Sequence, residues 1–488
     1  MNNDACYRAI ETRDRRFDGR LFVAVTTTGV YCRPFCPAPT PRRENCRFFP
    51  TAAAAQEAGF RPCLRCRPET SPEFAVWRGS FNTVSRALAL MEAGALDEGG
   101  VEALAERLGI GGRQLRRLFR QHLGASPVGV AQTRRVLLAK QLIQDTRLPM
   151  VEVAAAAGFG SVRRFNETFG RLYRRPPGAL RRARAAEESA AEAAAVVVRL
   201  GYQPPYDWDS IAAFLRAHAI PGVEVVSAGR YARTIATADG FGVVTVESAP
   251  GNCLKASIRL PNLATLPAVV ARVRRVFDLA SDPWAIGAHL SQDPLLAPLV
   301  AARPGLRVPG AWDGFELAVR VVLGRYATQE AAARVTGRLA VAFGERGGEH
   351  IALGQGLTHA FSTPRQLAGA DLAAAGVPES ARASLSSLAA AAAAEPLIFD
   401  LCRGLEDAVA RLRSLAGIDE RTAHEIAMRE LREPDAFPEV DFGPAGAGLR
   451  THAERWRPWR AYAALHLLAA EPDAPHFPLE APDDRQAA

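Results

Sequence analysis

Apolar and polar positions change period along the chain and divide it into four stretches. Over 80–182, apolar residues recur at helical spacing in short runs broken by Gly and Pro, which predicts a string of short amphipathic helices. The run repeats itself. At an offset of fifty residues Leu115 and Phe165, Phe119 and Phe169, and Pro127 and Pro177 occupy equivalent places, so two related units stand in tandem around a core of those Leu and Phe side chains. From 196 to 260 the period shortens. VVVRL (196–200), VEVVS (223–227), YARTIAT (231–237), GVVTVES (242–248) and CLKASIRL (253–260) have the β-branched content and partial alternation of an antiparallel sheet, with helices expected over Ile211–Ala219 and Leu266–Leu279. From Trp284 to about Ala470 the pattern is almost wholly helical, with breaks near Pro304–Gly310, Gly376–Pro378 and Pro434–Pro444. Residues 1–70 offer only short strand-like stretches such as Leu21–Thr28 and a proline cluster around Pro34–Pro41.

A length of 488 residues suits several domains. The expected fold class is multidomain α+β. It comprises a small cysteine-rich module (1–75), an all-α tandem unit (80–183), a polar Ala/Glu-rich linker (184–195), a small antiparallel-sheet domain (196–283) and an all-α domain (284–472). No apolar run approaches the roughly 18 residues of a membrane span, and the amino terminus lacks a signal-peptide stretch, so a cytoplasmic protein is expected. Charge adds a direction. Residues 1–185 hold 31 Lys+Arg against 16 Asp+Glu, whereas 186–488 hold 29 against 36. An excess of positive charge confined to the first part suits a nucleic-acid-binding arm on a larger body. Only Lys140 and Lys255 are lysines. Neither a GxGxxG motif nor a P-loop occurs, so no nucleotide cofactor is expected.

Six of the eight cysteines fall before residue 70. Cys32 and Cys36 are spaced C-x3-C, Cys63 and Cys66 C-x2-C, and 26 residues separate the pairs, an arrangement that lets four thiolates converge on one tetrahedral Zn²⁺. Such a metal can be purely structural in a module too small to stabilise itself by burial. It also keeps cysteine deprotonated at neutral pH, which makes a coordinated sulfur a nucleophile. Spacing alone does not separate the two roles. Cys6, Cys46, Cys253 and Cys402 lack paired spacing and read as buried small hydrophobes.

The stretch TTTGVYCRPFC, then RREN, then GFRPCLRCRPE closely resembles the amino-terminal module of the Ada family over roughly residues 5–70. The resemblance implies transfer of a methyl group from methylphosphotriesters in DNA to the first zinc cysteine, Cys32 here, with Thr28 and Arg61 where the family contacts DNA. Two family arginines after the second cysteine are Pro37 and Pro39, with Arg42 and Arg43 the candidates to replace them. In the next stretch, VEALAERLGIGGRQLRRLFRQHLGASP reads as helix, glycine-bearing turn and a second helix carrying four arginines, and MVEVAAAAGFGSVRRFNETFGRLYRRPP repeats the plan. Helix-turn-helix geometry projects such a second helix into the major groove; a generic helical hairpin with a solvated basic face would read the same way. The pair resembles the double helix-turn-helix of AraC-type regulators over roughly 82–182. Arg113, Gln114, Arg116 and Arg117 in the first unit, and Ser161, Arg163 and Arg164 in the second, are the reading-helix candidates.

In the carboxy-terminal half, LRSLAGIDERTAHEIAMREL (412–431) has the outline of a helix-hairpin-helix, whose glycine turn presents backbone N–H groups to a phosphate through Gly417 and Ile418. Asp441 follows in PDAFPEVDFG. YQPPYDW, YARTI, GVVTV, FDLASDP, ARPGLRVPG, VLG (322–324) and ERWRPWRAYAALHLL resemble, in order, the AlkA group of 3-methyladenine DNA glycosylases II over roughly 198–470. That resemblance implies a small sheet domain, a helix-hairpin-helix glycosylase domain and a catalytic aspartate at Asp441. Trp456 and Trp459 read as core. The chain departs from the family at Ala416 and Asp419 in the hairpin, at Arg421 and Glu425 where pocket aromatics are frequent, and at Arg325 after VLG.

Together these readings imply a DNA alkylation-response protein. It would be a zinc methyl acceptor, an AraC-type activator and a monofunctional N-alkylpurine glycosylase, with one Zn²⁺ as cofactor, double-stranded DNA and RNA polymerase as partners, and a nucleoid-associated place of work. The alternative is a methylation-sensing activator whose glycosylase half only binds DNA.

Overall fold

The computed structural model describes residues 2–72, 83–92, 94–181, 195–227, 229–347, 356–395, 398–399, 404–438 and 446–470. Residues 184–194 of the expected linker and the final dozen residues, as well as Asp441 and Cys402, lie outside them. The amino-terminal module opens with α1 (Asn3–Glu11), which Asn2 caps by accepting the Ala5 N–H at 2.8 Å. Its sheet comprises β1 (Phe22–Val25), β2 (Val30–Cys32), β3 (Cys46–Phe49) and β4 (Arg61–Pro62), in the order β3-β1-β2-β4. Helix α2 (Ala52–Glu57) lies between β3 and β4. The first strand is shorter than expected, ending at Val25. There the chain turns, Gly29 donating to the Val25 carbonyl at 2.9 Å from the left-handed φ of +65° that glycine adopts without strain. Strands of two to four residues bury little surface, so this module needs a cross-link.

The helical stretch contains α3 (Thr83–Glu92), α4 (Ala95–Glu98), α5 (Val101–Arg107), α6 (Gly112–Leu123), α7 (Pro127–Asp145), α8 (Met150–Ala156) and α9 (Val162–Tyr173). Leu115, Phe119, Phe165 and Phe169 are fully buried at the centres of the two units. The units do not share a core. The first closes on itself and on Ala53 of α2, whereas the second is continuous with the sheet that follows.

That sheet contains β5 (Val196–Gly201), β6 (Glu224–Ser227), β7 (Arg230–Thr237), β8 (Gly240–Ala249) and β9 (Cys253–Arg259), antiparallel throughout in the order β5-β9-β8-β7-β6. Alternation sets its register. Val196, Val198 and Leu200 face inward, paired with Ile258, Ala256 and Leu254. Helices α10 (Trp208–Ala217) and α11 (Leu266–Val276) accompany it.

The helical half consists of α12 (Pro283–Leu290), α13 (Ala297–Ala302), α14 (Gly314–Gly324), α15 (Gln329–Phe343), α16 (Pro364–Ala368), α17 (Glu379–Ala394), α18 (Leu405–Arg413), α19 (Glu420–Arg429), α20 (Gly446–Ala453) and α21 (Arg460–Ala470). Buried charges join it to the sheet domain: Arg233 on β7 bonds Glu224 at 3.0 Å and Glu316 of α14 at 2.7 Å, over the Trp312 ring. Trp456 and Trp459 are core, on a short 3-10 turn and just before α21. No helix among the described residues is long and apolar enough to cross a membrane.

Candidate metal centre and nucleic-acid interfaces

Two strand pairings assemble the cysteines. Cys32 ends β2, and Cys63 follows β4, which runs parallel to β2; the Cys63 N–H donates to the Tyr31 carbonyl at 3.0 Å, locking the two thiols side by side. Cys36 and Cys66 return on tight turns from their partners. All four Sγ atoms lie within 4.8 Å of one another. A tetrahedral site with Zn–S bonds of about 2.3 Å needs sulfurs about 3.8 Å apart, so the cluster closes on the ion with a small contraction. The backbone is already arranged for thiolates: the Arg33 N–H donates to Cys66 Sγ and the Arg65 N–H to Cys63 Sγ, each at 3.3 Å. In the cluster itself, hydrogen bonding from Cys32 draws the Cys36 thiol down to about 7, while the same sharing with Cys36 pushes Cys32 up. Four ionised sulfurs this close need a dication, and the donor set is a zinc site.

Arg33, between the two first cysteines, is a hub that the sequence reading missed. Its guanidinium bonds Asp18 (Nε at 2.8 Å), Thr70 Oγ1 at 2.7 Å, and stacks on Phe35 with 4.6 Å between guanidinium carbon and ring centre. Cys32, Cys63 and Cys66 are buried and Cys36 half-buried. Thr28 is exposed on the β1–β2 turn. Arg61, half-buried, starts β4 and donates its N–H to the Gly29 carbonyl at 2.9 Å, so both residues sit at one end of the strand pair that carries Cys32 and Cys63. Arg42 and Arg43 are exposed on the loop before β3, with Arg43 paired to Asp4.

A second missed feature lies directly after Cys66. Lys140, on the apolar face of α7, is fully buried and paired with Glu69, itself buried; Arg67 bonds the other Glu69 oxygen at 3.0 Å and also pairs with Asp145. Burial lowers the Lys140 pKa, and the Glu69 charge opposes that shift. The available signal was a lone lysine in VLLAKQLI, in a chain with only one other.

Arg113, Gln114, Arg116 and Arg117 project from the exposed face of α6, Arg116 pairing with Glu102 at 2.6 Å. On α9, Arg163 and Arg164 are exposed, Arg163 bonding Glu167 at 2.8 Å. Ser161 is committed locally, its hydroxyl capping the helix by accepting the Arg164 N–H at 3.2 Å.

The hairpin runs from α18 to α19. Gly417 sits at φ +81°, and an added Cβ there would lie 2.5 Å from the Ser384 side chain, so glycine is required twice over. Ile418 is buried, and its N–H donates to the Leu415 carbonyl at 3.2 Å, so neither its side chain nor that N–H faces outward. Asp419 is the N-cap of α19, accepting the Thr422 N–H at 2.8 Å. Arg325 reaches over from the loop after α14 to donate to the Gly417 carbonyl at 2.8 Å and pair with Asp419 at 3.2 Å. Ala416 is exposed, Arg421 half-buried, and Glu425 pairs along the helix with Arg429 at 3.3 Å.

Comparison with known proteins follows the same divisions. Family models match at residues 5–69 (metal binding domain of Ada), 104–183 (helix-turn-helix domain) and 197–313 (AlkA N-terminal domain), which define a fusion of a metal-binding, a helix-turn-helix and a glycosylase-type unit. A probable bifunctional transcriptional activator/DNA repair enzyme AlkA from Mycobacterium tuberculosis is 41% identical over 477 residues, 95% of each chain. The chain belongs to this family. DNA-3-methyladenine glycosylase 2 of Escherichia coli is 35% identical over 56% of this chain and 96% of its own. The bifunctional activator/repair enzyme Ada of the same organism is 36% identical over 26% of this chain and 34% of its own.

Proposed function

We propose that the protein repairs alkylated DNA in two ways and reports the damage. The observation that carries this reading is the convergence of four thiols at one end of a short strand pair whose other end carries Thr28 and Arg61, in a chain that also holds tandem helix-turn-helix units and a glycosylase-type half. At a methylphosphotriester, the Cys32 sulfur displaces the phosphate oxygen in line at the methyl carbon; the C–O bond breaks, a thioether forms and an ordinary phosphodiester anion leaves. Zinc, when bound, supplies the charge that keeps the sulfurs deprotonated. One sulfur then loses its charge, so the four-thiolate centre goes from net −2 to −1 and is repelled less by phosphates. That raises DNA affinity and engages the reading helices α6 and α9 at a promoter, with RNA polymerase as the partner recruited. The carboxy-terminal half removes N-alkylated purines. These are cationic leaving groups, so the residue needed is a carboxylate opposite the developing oxocarbenium, and Asp441 is that residue. The place of work is the cytoplasm, at the nucleoid.

The test is base release and methyl mapping on one preparation. Incubation of the zinc-loaded chain with methylated DNA is expected to free N-alkylpurines and to leave a methyl group on Cys32. Peptide mapping that puts the methyl on the more open Cys36 would overturn the acceptor assignment. Methyl transfer without base release would leave the chain an activator whose second half only binds DNA.

A further inference from the structure

The hairpin of this chain contains a contradiction. Its glycine turn, with Gly417 at φ +81°, is the part read as meeting a phosphate, yet the next polar residue, Asp419, is an anion whose side chain is 45% exposed. A bare carboxylate there would repel DNA. The structure neutralises it with Arg325, which arrives from the loop after α14, 92 residues before Gly417. One guanidinium nitrogen, Nη1, donates to the Gly417 carbonyl at 2.8 Å and Nη2 faces Asp419 Oδ2 at 3.2 Å, while the buried Nε has no hydrogen-bond partner. Burial pulls the Asp419 carboxyl upward, but the Thr422 hydrogen bonds and then the Arg325 and Arg421 charges hold it below the ordinary carboxylate range. Two cations therefore surround one carboxylate at the tip of the turn.

These contacts differ in permanence. The Gly417 carbonyl and the Thr422 N–H are main-chain groups tied to the turn and to the first turn of α19. The Arg325–Asp419 pair is an open ion pair, with side chains 30% and 45% exposed, and such pairs contribute little and exchange readily. A phosphate has the geometry to accept a guanidinium fork and is the stronger acceptor in the presence of a second arginine. We propose that Arg325 is a DNA-phosphate ligand held in reserve: on the free protein its Nη2 rests on Asp419, and on DNA it passes to a backbone phosphate while Nη1 keeps its bond to Gly417. Asp419 stays as the cap of α19. This assignment rests on the reading of the carboxy-terminal half as a DNA-binding glycosylase, and deepens it.

The experiment uses the zinc-loaded full chain and a short duplex with and without one abasic-site analogue; the difference between the two isolates lesion engagement from binding by the helix-turn-helix units. Loss of one phosphate contact lowers the slope of log affinity against log salt by about 0.9. Arg325→Gln is expected to show that loss in the lesion-dependent component and to bind roughly tenfold more weakly at about 0.1 M salt, whereas Arg325→Lys keeps the slope and loses part of the affinity. An unchanged slope in a folded Arg325→Gln protein makes Arg325 only a clamp between two loops and overturns the proposal. Should that variant fail to fold, Asp419→Asn decides. It keeps the cap acceptor and frees Arg325, so binding several-fold tighter is expected, and equal or weaker binding overturns the proposal. Base release by the unmodified chain is read in parallel. Release with an unchanged slope sinks this inference alone, and a changed slope without release sinks the glycosylase reading alone.

Discussion

Replacing Glu69 by Gln should loosen the zinc module from the helical unit by an amount that depends on pH in a calculable way. Glu69 and Lys140 are both buried, so Gln keeps the volume and leaves an ammonium group without its counter-charge. Breaking a buried pair in this way costs about 3–5 kcal/mol. An upper bound comes from the escape route, since Lys140 can lose its proton instead of staying charged. From an unfolded pKa of about 10.4, neutralisation at pH 7 costs about 1.36 × 3.4, or roughly 4.6 kcal/mol. The sign follows from proton counting. Burial lowers the Lys140 pKa in the fold, so between its folded and unfolded values the unfolded chain holds the extra proton, and stability rises with pH. Removing Glu69 deepens the shift and extends that window down towards neutrality. The penalty of Glu69→Gln should therefore shrink by up to about 1.4 kcal/mol per pH unit from pH 7 towards 10.

Hydrogen exchange read on peptides covering 66–72 and 136–145, corrected for intrinsic rates, measures the local opening. A cost near the bound corresponds to opening roughly 10³-fold more frequent at pH 7 and about tenfold more frequent at pH 9.4. Lys140→Met should be milder, since it leaves Glu69 bonded to Arg67 at 3.0 Å and removes the buried amine. A Glu69→Gln penalty that is flat with pH, or a Lys140→Met penalty at pH 7 as large as that of Glu69→Gln, would refute the electrostatic account and reduce the pair to packing.

Three further outcomes are expected. Metal-replete protein should contain one Zn²⁺ per chain by elemental analysis, and chelation should abolish exchange protection in 2–72, whose strands bury too little to stand alone, while the 196–276 sheet stays protected. If Asp441 is the glycosylase carboxylate, as proposed, Asp441→Asn should slow single-turnover purine release by about 100-fold or more, since it exchanges a carboxylate for a neutral amide of nearly the same size. No strand-cleaving lyase activity should accompany release, because residues 256–488 contain no lysine to form a Schiff base; a borohydride-trapped DNA adduct in that segment would contradict this.

What could be read from the residues was whatever depends on local spacing. Two close cysteine pairs announced the thiol cluster, and period-two apolar runs located β5 to β9 to within a residue or two at their ends. Pairings across long separations were invisible. Asp419 read only as a departure from the family hairpin because its value as a cap depends on α19 starting at Glu420 and on an arginine 94 positions earlier. Lys140 looked like one helix residue among many, since nothing local says that Glu69 will meet it. Ile418 was assigned to DNA from the motif, whereas its position in the turn buries it.

The same long-range pairings explain how three units can act as one. Helix α7 joins the two helix-turn-helix units, and the zinc module grips it at both ends. Near its start, Glu57 of α2 accepts the Ser126 N–H at 3.0 Å and Thr51 donates to the Leu123 carbonyl at 2.7 Å; near its end, Lys140 and Asp145 pair with Glu69 and Arg67, directly after Cys66. A 19-residue helix is about 28 Å long, close to the roughly 34 Å between major-groove faces one turn apart on B-DNA. The spacing of α6 and α9 is thus set by a rod whose two ends are held by the module that carries the four clustered thiols. Gln141, next to Lys140, donates to the Arg199 carbonyl of β5 at 3.1 Å, and the second unit shares its core with that sheet. A displacement of the Cys66 loop consequently has to move the reading helices and the glycosylase half together, or break the buried Glu69–Lys140 pair to avoid doing so.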